Sequence, residues 1–145
     1  MESIANKLNV FLADLNVFFR KLQNYHWYIE GEDFFVIHEK LEEYYEEVYK
    51  QIDEVAEHLL MMNYEPLATM KSYLQNATLV EAENKKIKKE EVFSVLVNDF
   101  THLMQEAKDI KKQADEKQIV ETSTFIDEMI SDFNKKIWML KQTME

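Results

Sequence analysis

The stretch from His26 to Glu57 reads HWYIEGEDFFVIHEKLEEYYEEVYKQIDEVAE. It contains the chain's one glycine, Gly31, with His26 before it and His38 after it. From residue 34 to 61 there is neither proline nor glycine. Apolar residues recur there at Leu41, Tyr45, Val48, Ile52, Val55 and Leu59, a helical period. A second stripe runs beside the first: His38, Glu42, Glu46, Tyr49, Asp53 and Glu57. The far face, with Lys40, Glu43, Glu47, Lys50, Gln51 and Glu54, suits water.

Working outward, residues 4 to 29 predict a preceding helix with Leu8, Leu12, Leu15, Phe19, Leu22 and His26 on one face. Gly31 makes the turn between the two helices, and Asp33 is placed to cap the second. Residues 62 to 87 form a long connection in which Pro66 is expected to open a short helix over Leu67 to Leu74. A connection of that length can carry the chain across a bundle, so that the second and third long helices run parallel. The third is read over 88 to 116, with Val92, Leu96, Phe100, Leu103, Ala107, Ile110 and Ala114 inward. The fourth is read over 123 to 143, with Ile126, Ile130, Phe133, Ile137, Leu140 and Met144 inward. Thr122 or Thr124 serves as its N-cap, and Thr124 with Asp127 approximates a capping box. Four long amphipathic helices and one crossover make an all-α four-helix bundle, a single domain over residues 1–145, and crossovers of this kind occur in ferritin-like folds.

Composition agrees and narrows the function. One Gly and one Pro in 145 residues leave few of the turns that strands need. No apolar run is long enough to span a membrane. The opening MESIANKLNVFLADL has no basic start or unbroken apolar stretch, so a signal peptide is not expected. With no cysteine there is neither a disulfide scaffold nor a thiolate site, and a cytoplasmic location is the expectation. A formal charge of −11 opposes contact with phosphate backbones and attracts cations.

Imidazole with carboxylate is a ligand set suited to Fe(II), and tolerable to Zn or Mn. Within one helix, however, His38 and Asp53 lie roughly 22 Å apart at about 1.5 Å per residue. In the hairpin His26 returns beside His38, while Asp53 and Glu57 lie at the opposite end. Two copies of the 34–60 helix crossing antiparallel on a two-fold axis near Glu46 remove the difficulty. His26 and His38 of one copy then meet Asp53 and Glu57 of the other, twice per interface.

The same residues resemble the Dps proteins, the twelve-subunit mini-ferritins. The likeness is carried by YHW at 25–27, GEDFFVIHEKLEE at 31–43, IDEVAE at 52–57, PLATMKSYL at 66–74 and IWML at 137–140, in the family's order and spacing. The resemblance implies a ferroxidase centre between subunits, with His26 and His38 from one chain and Asp53 and Glu57 from its neighbour. Glu42, at a position that is usually acidic in the family, stands about evenly between a primary ligand and a weak or orienting one. It further implies oxidation of Fe(II) to Fe(III), preferably by hydrogen peroxide, with ferric mineral stored in a hollow dodecamer and hydroxyl-radical formation suppressed. The sequence departs from the family in two places. A lysine-rich N-terminal tail is missing, so DNA binding is not expected. MMNYEP stands where a glycine often precedes the proline of the connection.

Other residues have plainer readings. Trp27 packs or intercepts oxidising equivalents, His58 and His102 are structural or exposed, and the methionines fill core and interfaces. Asp115, Glu116, Glu121 and Asp127 line an ion pore at a three-fold axis or form a solvated loop. Bundles that hold two metals within one chain use paired Glu-x-x-His motifs. None occurs here, and Asp99-x-x-His102 is the nearest approach. The rival readings are a nucleoid-binding shell, opposed by the charge, and a structural helical protein without metal, opposed by the His and carboxylate set.

Overall fold

Each long helix carries an apolar stripe too wide to leave in water, and the four stripes bury one another. The computed structural model describes residues 1–144; Glu145, the last residue of the expected domain, lies outside them. The helices are α1 Glu2–Tyr28, α2 Phe34–Met61, α3 Met70–Asn76, α4 Lys89–Glu116 and α5 Val120–Thr143. Among the described residues there is no strand, only an isolated bridge between Ile29 and Ile87. Among the described residues no helix is long and apolar enough to cross a membrane.

Helices α1 and α2 form an antiparallel hairpin about Gly31, whose φ of +108° is one that side chains rarely adopt. Helix α4 runs antiparallel to α1, as the Phe18–Phe100 and Lys21–Asp99 contacts and the Ile29–Ile87 bridge require. Helix α5 runs antiparallel to α2, from His58–Thr122 at one end to Glu47–Lys136 at the other. Helices α2 and α4 are therefore parallel, as expected, and the crossover between them returns the chain along the bundle.

Phe11, Phe18, Phe100 and Phe133 lie wholly buried at the centre, packed mostly edge to face. Each such side chain contributes about 1.5–3 kcal/mol on leaving water. All seven residues read as the inward stripe of α4 are buried. On the other helices the stripe is displaced in places: Phe18, Tyr44 and Met129 are buried where Phe19, Tyr45 and Ile130 were expected, and Met144 is exposed.

Irregular backbone needs hydrogen-bond partners, and α1 supplies them to the crossover. Asn9 donates to the Glu65 carbonyl and accepts from the Leu67 amide. The buried carboxylate of Asp14 accepts from the amides of Thr78 and Leu79 and from the Thr78 hydroxyl. Asn24 donates to the Glu83 carbonyl.

The starts of two helices differ from expectation, and a third helix starts where expected but without its cap bond. The short helix begins at Met70, not Leu67, because Thr69 and Ser72 form a reciprocal capping box there, and Pro66 stays in irregular chain. Helix α5 begins at Val120; Thr122 lies inside it, buried, with its hydroxyl engaged by His58, and Thr124 does not cap. Asp33 occupies the N-cap position of α2 but makes no cap hydrogen bond. Its backbone is left-handed, at φ 65°, and its carboxylate holds the Lys89 ammonium at 2.9 Å.

Candidate metal centre

His26 is the last-turn residue of α1 and His38 lies in the second turn of α2, so the Gly31 turn folds one back on the other. Their rings stack with centroids 3.7 Å apart and planes 11° from parallel. The hydrogen bonds are reciprocal. His26 Nδ1 lies 2.7 Å from the His38 carbonyl oxygen, and His38 Nδ1 lies 2.7 Å from the His26 carbonyl oxygen. A carbonyl only accepts, so both Nδ1 atoms carry protons. In the neutral rings both Nε2 lone pairs are then free, the tautomer a metal requires. Backbone carbonyls that take the other ring N–H are the usual orienting partners of ligating histidines.

The surroundings hold the pair in place. Phe34 stacks on His38 with centroids 5.0 Å apart, and Tyr45 meets His26 edge-on at 5.4 Å. Phe19 continues this aromatic wall to Tyr45 and Tyr49. Burial, followed by the nearby Glu42 and Glu46 carboxylates, raises the Tyr45 phenol above its ordinary pKa, so it stays neutral. His26 is buried and His38 half-buried, while the Glu42 carboxylate is half-exposed and reaches to 3.6 Å from His26 Nε2.

Of the five residues singled out, the fold brings together His26, His38 and Glu42. Asp53 and Glu57 lie farther along α2, both exposed, and a single chain does not gather them with the histidines. Glu46 and Tyr49, on the same stripe of α2, are exposed as well, and so is Trp27 near the end of α1.

The remaining histidines find other partners. His58 is buried, stacks on Phe125 with planes 4° apart, and pairs through Nε2 with the Thr122 hydroxyl at 2.9 Å. Burial holds it below the ordinary imidazole pKa. His102 is half-exposed and lies among Asp14, Thr78 and Glu106. Asp99, three residues before it, is committed to Lys21 at 2.7 Å, so the two do not act as a pair. Asp14 was not singled out in the sequence: its neighbours Leu12 and Leu15 make it look like a break in an apolar face, and its partners lie more than sixty residues away. At the α4–α5 junction Lys111 lies 3.7 Å from Asp115 and 3.8 Å from Asp127, which offsets the charge expected of a pore there.

Comparison with known proteins places the fold. The ferritin family, described as a ferritin-like domain, matches residues 5–145. General stress protein 20U of Bacillus subtilis is 39% identical over 140 residues, 97% of this chain and 96% of its own. The DNA protection during starvation protein of Brevibacillus brevis is 37% identical over 142 residues, 98% of this chain and 95% of its own. The crystal structure of a Dps protein from Vibrio cholerae O1, described as a member of a broad superfamily of ferritin-like diiron-carboxylate proteins, superposes with a TM-score of 0.96 at 33% identity. That match covers 99% of this chain and 90% of the other.

Proposed function

Because this chain belongs to the ferritin-like family, and within it to the Dps mini-ferritins, we propose that it is a ferroxidase and iron-storage protein acting at sites shared between subunits. Fe(II) is the substrate and hydrogen peroxide the oxidant. Ferric mineral collects inside a closed dodecamer, and the protein protects its cell from oxidative damage in the cytoplasm.

The reciprocal lock of His26 and His38, with both Nε2 atoms free, is the observation that carries this reading. A site needs anionic oxygen as well, and among the described residues Glu42 alone pairs with either histidine. Asp53 and Glu57 of a second subunit, related by a two-fold axis near Glu46, supply it. On a single subunit these acids are exposed, as that role requires. The histidines bind Fe(II) as neutral donors, the carboxylates balance its charge, and the aromatic wall limits water on one side. Two ferrous ions each give up one electron, and the O–O bond of one peroxide takes both, so no hydroxyl radical need be released.

Subunit mixing tests the shared site. One variant carries His26→Ala with His38→Ala, and the other carries Asp53→Ala with Glu57→Ala. Each alone loses fast Fe(II) oxidation. When the two are unfolded and refolded together, half the two-fold contacts join unlike chains, and each such contact rebuilds one intact site. About a quarter of all sites should therefore recover. Mixed shells that form, alongside a refolded wild-type control, yet stay as inactive as the separate variants would overturn the shared site.

The name of the Brevibacillus relative speaks of DNA protection, and a second reading is that this chain protects DNA by binding it. The charge of −11 opposes it, and so does the main lysine run, in which Lys85, Lys88 and Lys89 each face a carboxylate: Glu83, Glu30 and Asp33. Protection here comes from removing Fe(II) and peroxide.

A further inference from the structure

We infer that Asp14, His102 and Glu106 bind a divalent first-row transition-metal ion, forming a second site held within one chain. The three residues meet between α1 and α4. Each offers one ligand atom, and the three atoms all lie within 4.8 Å of one another. His102 Nε2 is 3.7 Å from Asp14 Oδ2 and 3.7 Å from Glu106 Oε1. Around a tetrahedral ion with bonds of about 2.0–2.2 Å, neighbouring ligand atoms stand about 3.3–3.6 Å apart. The two edges that meet at His102 therefore need to contract by only about 0.1–0.4 Å. One imidazole and two carboxylates suit Zn(II), Mn(II) or Fe(II).

Three further features point the same way. Asp14 is wholly buried, and its carboxylate is fixed by three donors from the crossover, so this ligand is positioned before any ion arrives. His102 and Glu106 are one helical turn apart on α4, the spacing that puts two ligands on one face. Glu106 Oε1 is buried and has no hydrogen-bond partner among the described residues. A buried carboxylate oxygen left unpaired is costly, and two carboxyl groups this close repel unless a proton or a cation stands between them. The Thr78 hydroxyl bridges Asp14 and His102, at 2.6 Å and 2.7 Å, and now holds them at their spacing. Because the Thr78 hydroxyl proton goes to Asp14, His102 Nε2–H donates to the Thr78 oxygen. Loading puts the ring in its Nδ1–H tautomer, the Nε2 proton passing to solvent, and exchanges that contact for a metal bond to Nε2. The side chain of His102 is 43% exposed. A surface groove lined by Ser3, Asn6, Lys7, Val10, Glu106 and Asp109 reaches Glu106, so an ion has two approaches.

The site is separate from the histidine pair. His26 lies twelve residues along α1 from Asp14, which is about 18 Å of helix. It also needs no second subunit, so it tests apart from the shared site.

Zn(II) serves as the probe on the full assembled protein. Crystals soaked at micromolar Zn(II) should show an anomalous peak within coordinating distance of Asp14, His102 and Glu106. Calorimetric titration of wild type, His102→Gln and Glu106→Gln should show each variant binding one Zn(II) fewer per chain, or binding it at least tenfold more weakly. Their Fe(II) oxidation rates and far-ultraviolet circular dichroism should stay at the wild-type level. Asp14 is left intact because it also anchors the crossover. An anomalous map with zinc at the His26–His38 pair and none at this cluster would overturn the inference. So would variants that fold normally and keep the wild-type zinc count and affinity. If His102→Gln fails to fold, Glu106→Gln and the wild-type map still decide.

Discussion

Asp14 has no exposed surface, yet it accepts hydrogen bonds from two amides and a hydroxyl of the crossover. Asp14→Ala strands all three donors and should lower stability by about 2–4 kcal/mol, read as a fall in the denaturant midpoint with the slope unchanged. His58 acts through protonation. Burial lowers its folded-state pKa, against a smaller opposing pull from Glu121. The unfolded chain therefore takes up a proton at a higher pH than the folded one, and stability present near pH 7 is lost as pH falls below the ordinary imidazole range. The melting temperature should drop between pH 7 and pH 5.5, and His58→Gln, which can still bond Thr122, should reduce that drop. An unchanged pH dependence in the variant would show that His58 titrates as it does in the unfolded chain. Tyr25 and Tyr44 belong to the same scale: burial, followed by nearby carboxylates, pushes each phenol up to about 12.

Between elements, the Lys21–Asp99 pair joins α1 to α4 at 2.7 Å with both side chains nearly buried. Lys21→Met leaves the Asp99 carboxylate alone in the core and should cost about 3–5 kcal/mol. Replacing both, with Lys21→Met and Asp99→Leu, should cost less than that single change, a non-additivity that a double-mutant cycle measures. The elements themselves were unevenly legible in the sequence. Helix α4 was read correctly because its stripe is regular and both neighbours press on the same face. The start of α5 was misplaced because Val120 has no side-chain cap to announce it, while Thr122, which looks like a cap, is drawn inward by a histidine on another helix. Helix α3 was shifted because its capping box closes with Ser72 in place of the expected acid or amide. At the candidate centre, the nearness of His26 to His38 was legible from their spacing about Gly31, and Glu42 from its place on the stripe that starts at His38. The reciprocal bonds to backbone carbonyls were not, since they depend on how two helix ends meet. The gathering of Asp14, His102 and Glu106 depends on the register of α1 against α4, which no local pattern carries.

Across the whole molecule, Trp27, Phe35, Val36, Tyr49, Trp138 and Met139 remain exposed on the single chain, large side chains of the kind that an assembly covers. Light scattering should find a closed particle of twelve 17.4 kDa chains, and a stable species of one chain's mass at micromolar concentration would refute the assembly. Linear duplex DNA at neutral pH and physiological salt should not shift in a gel at submicromolar protein, because the −11 charge recurs on every subunit. The stitching of the crossover to α1 has a consequence in time. The α1–α2 hairpin closes over a short turn and can form as soon as those helices leave the ribosome. The hydrogen bonds of Asp14 wait for residues 64 and 65 positions later, and the apolar stripe of α1 waits for α4. An all-helical chain thus acquires the long-range dependence more typical of sheets, which slows folding. Its vulnerable interval is the wait for the second half, when the apolar faces of a finished hairpin are open to any neighbouring nascent chain.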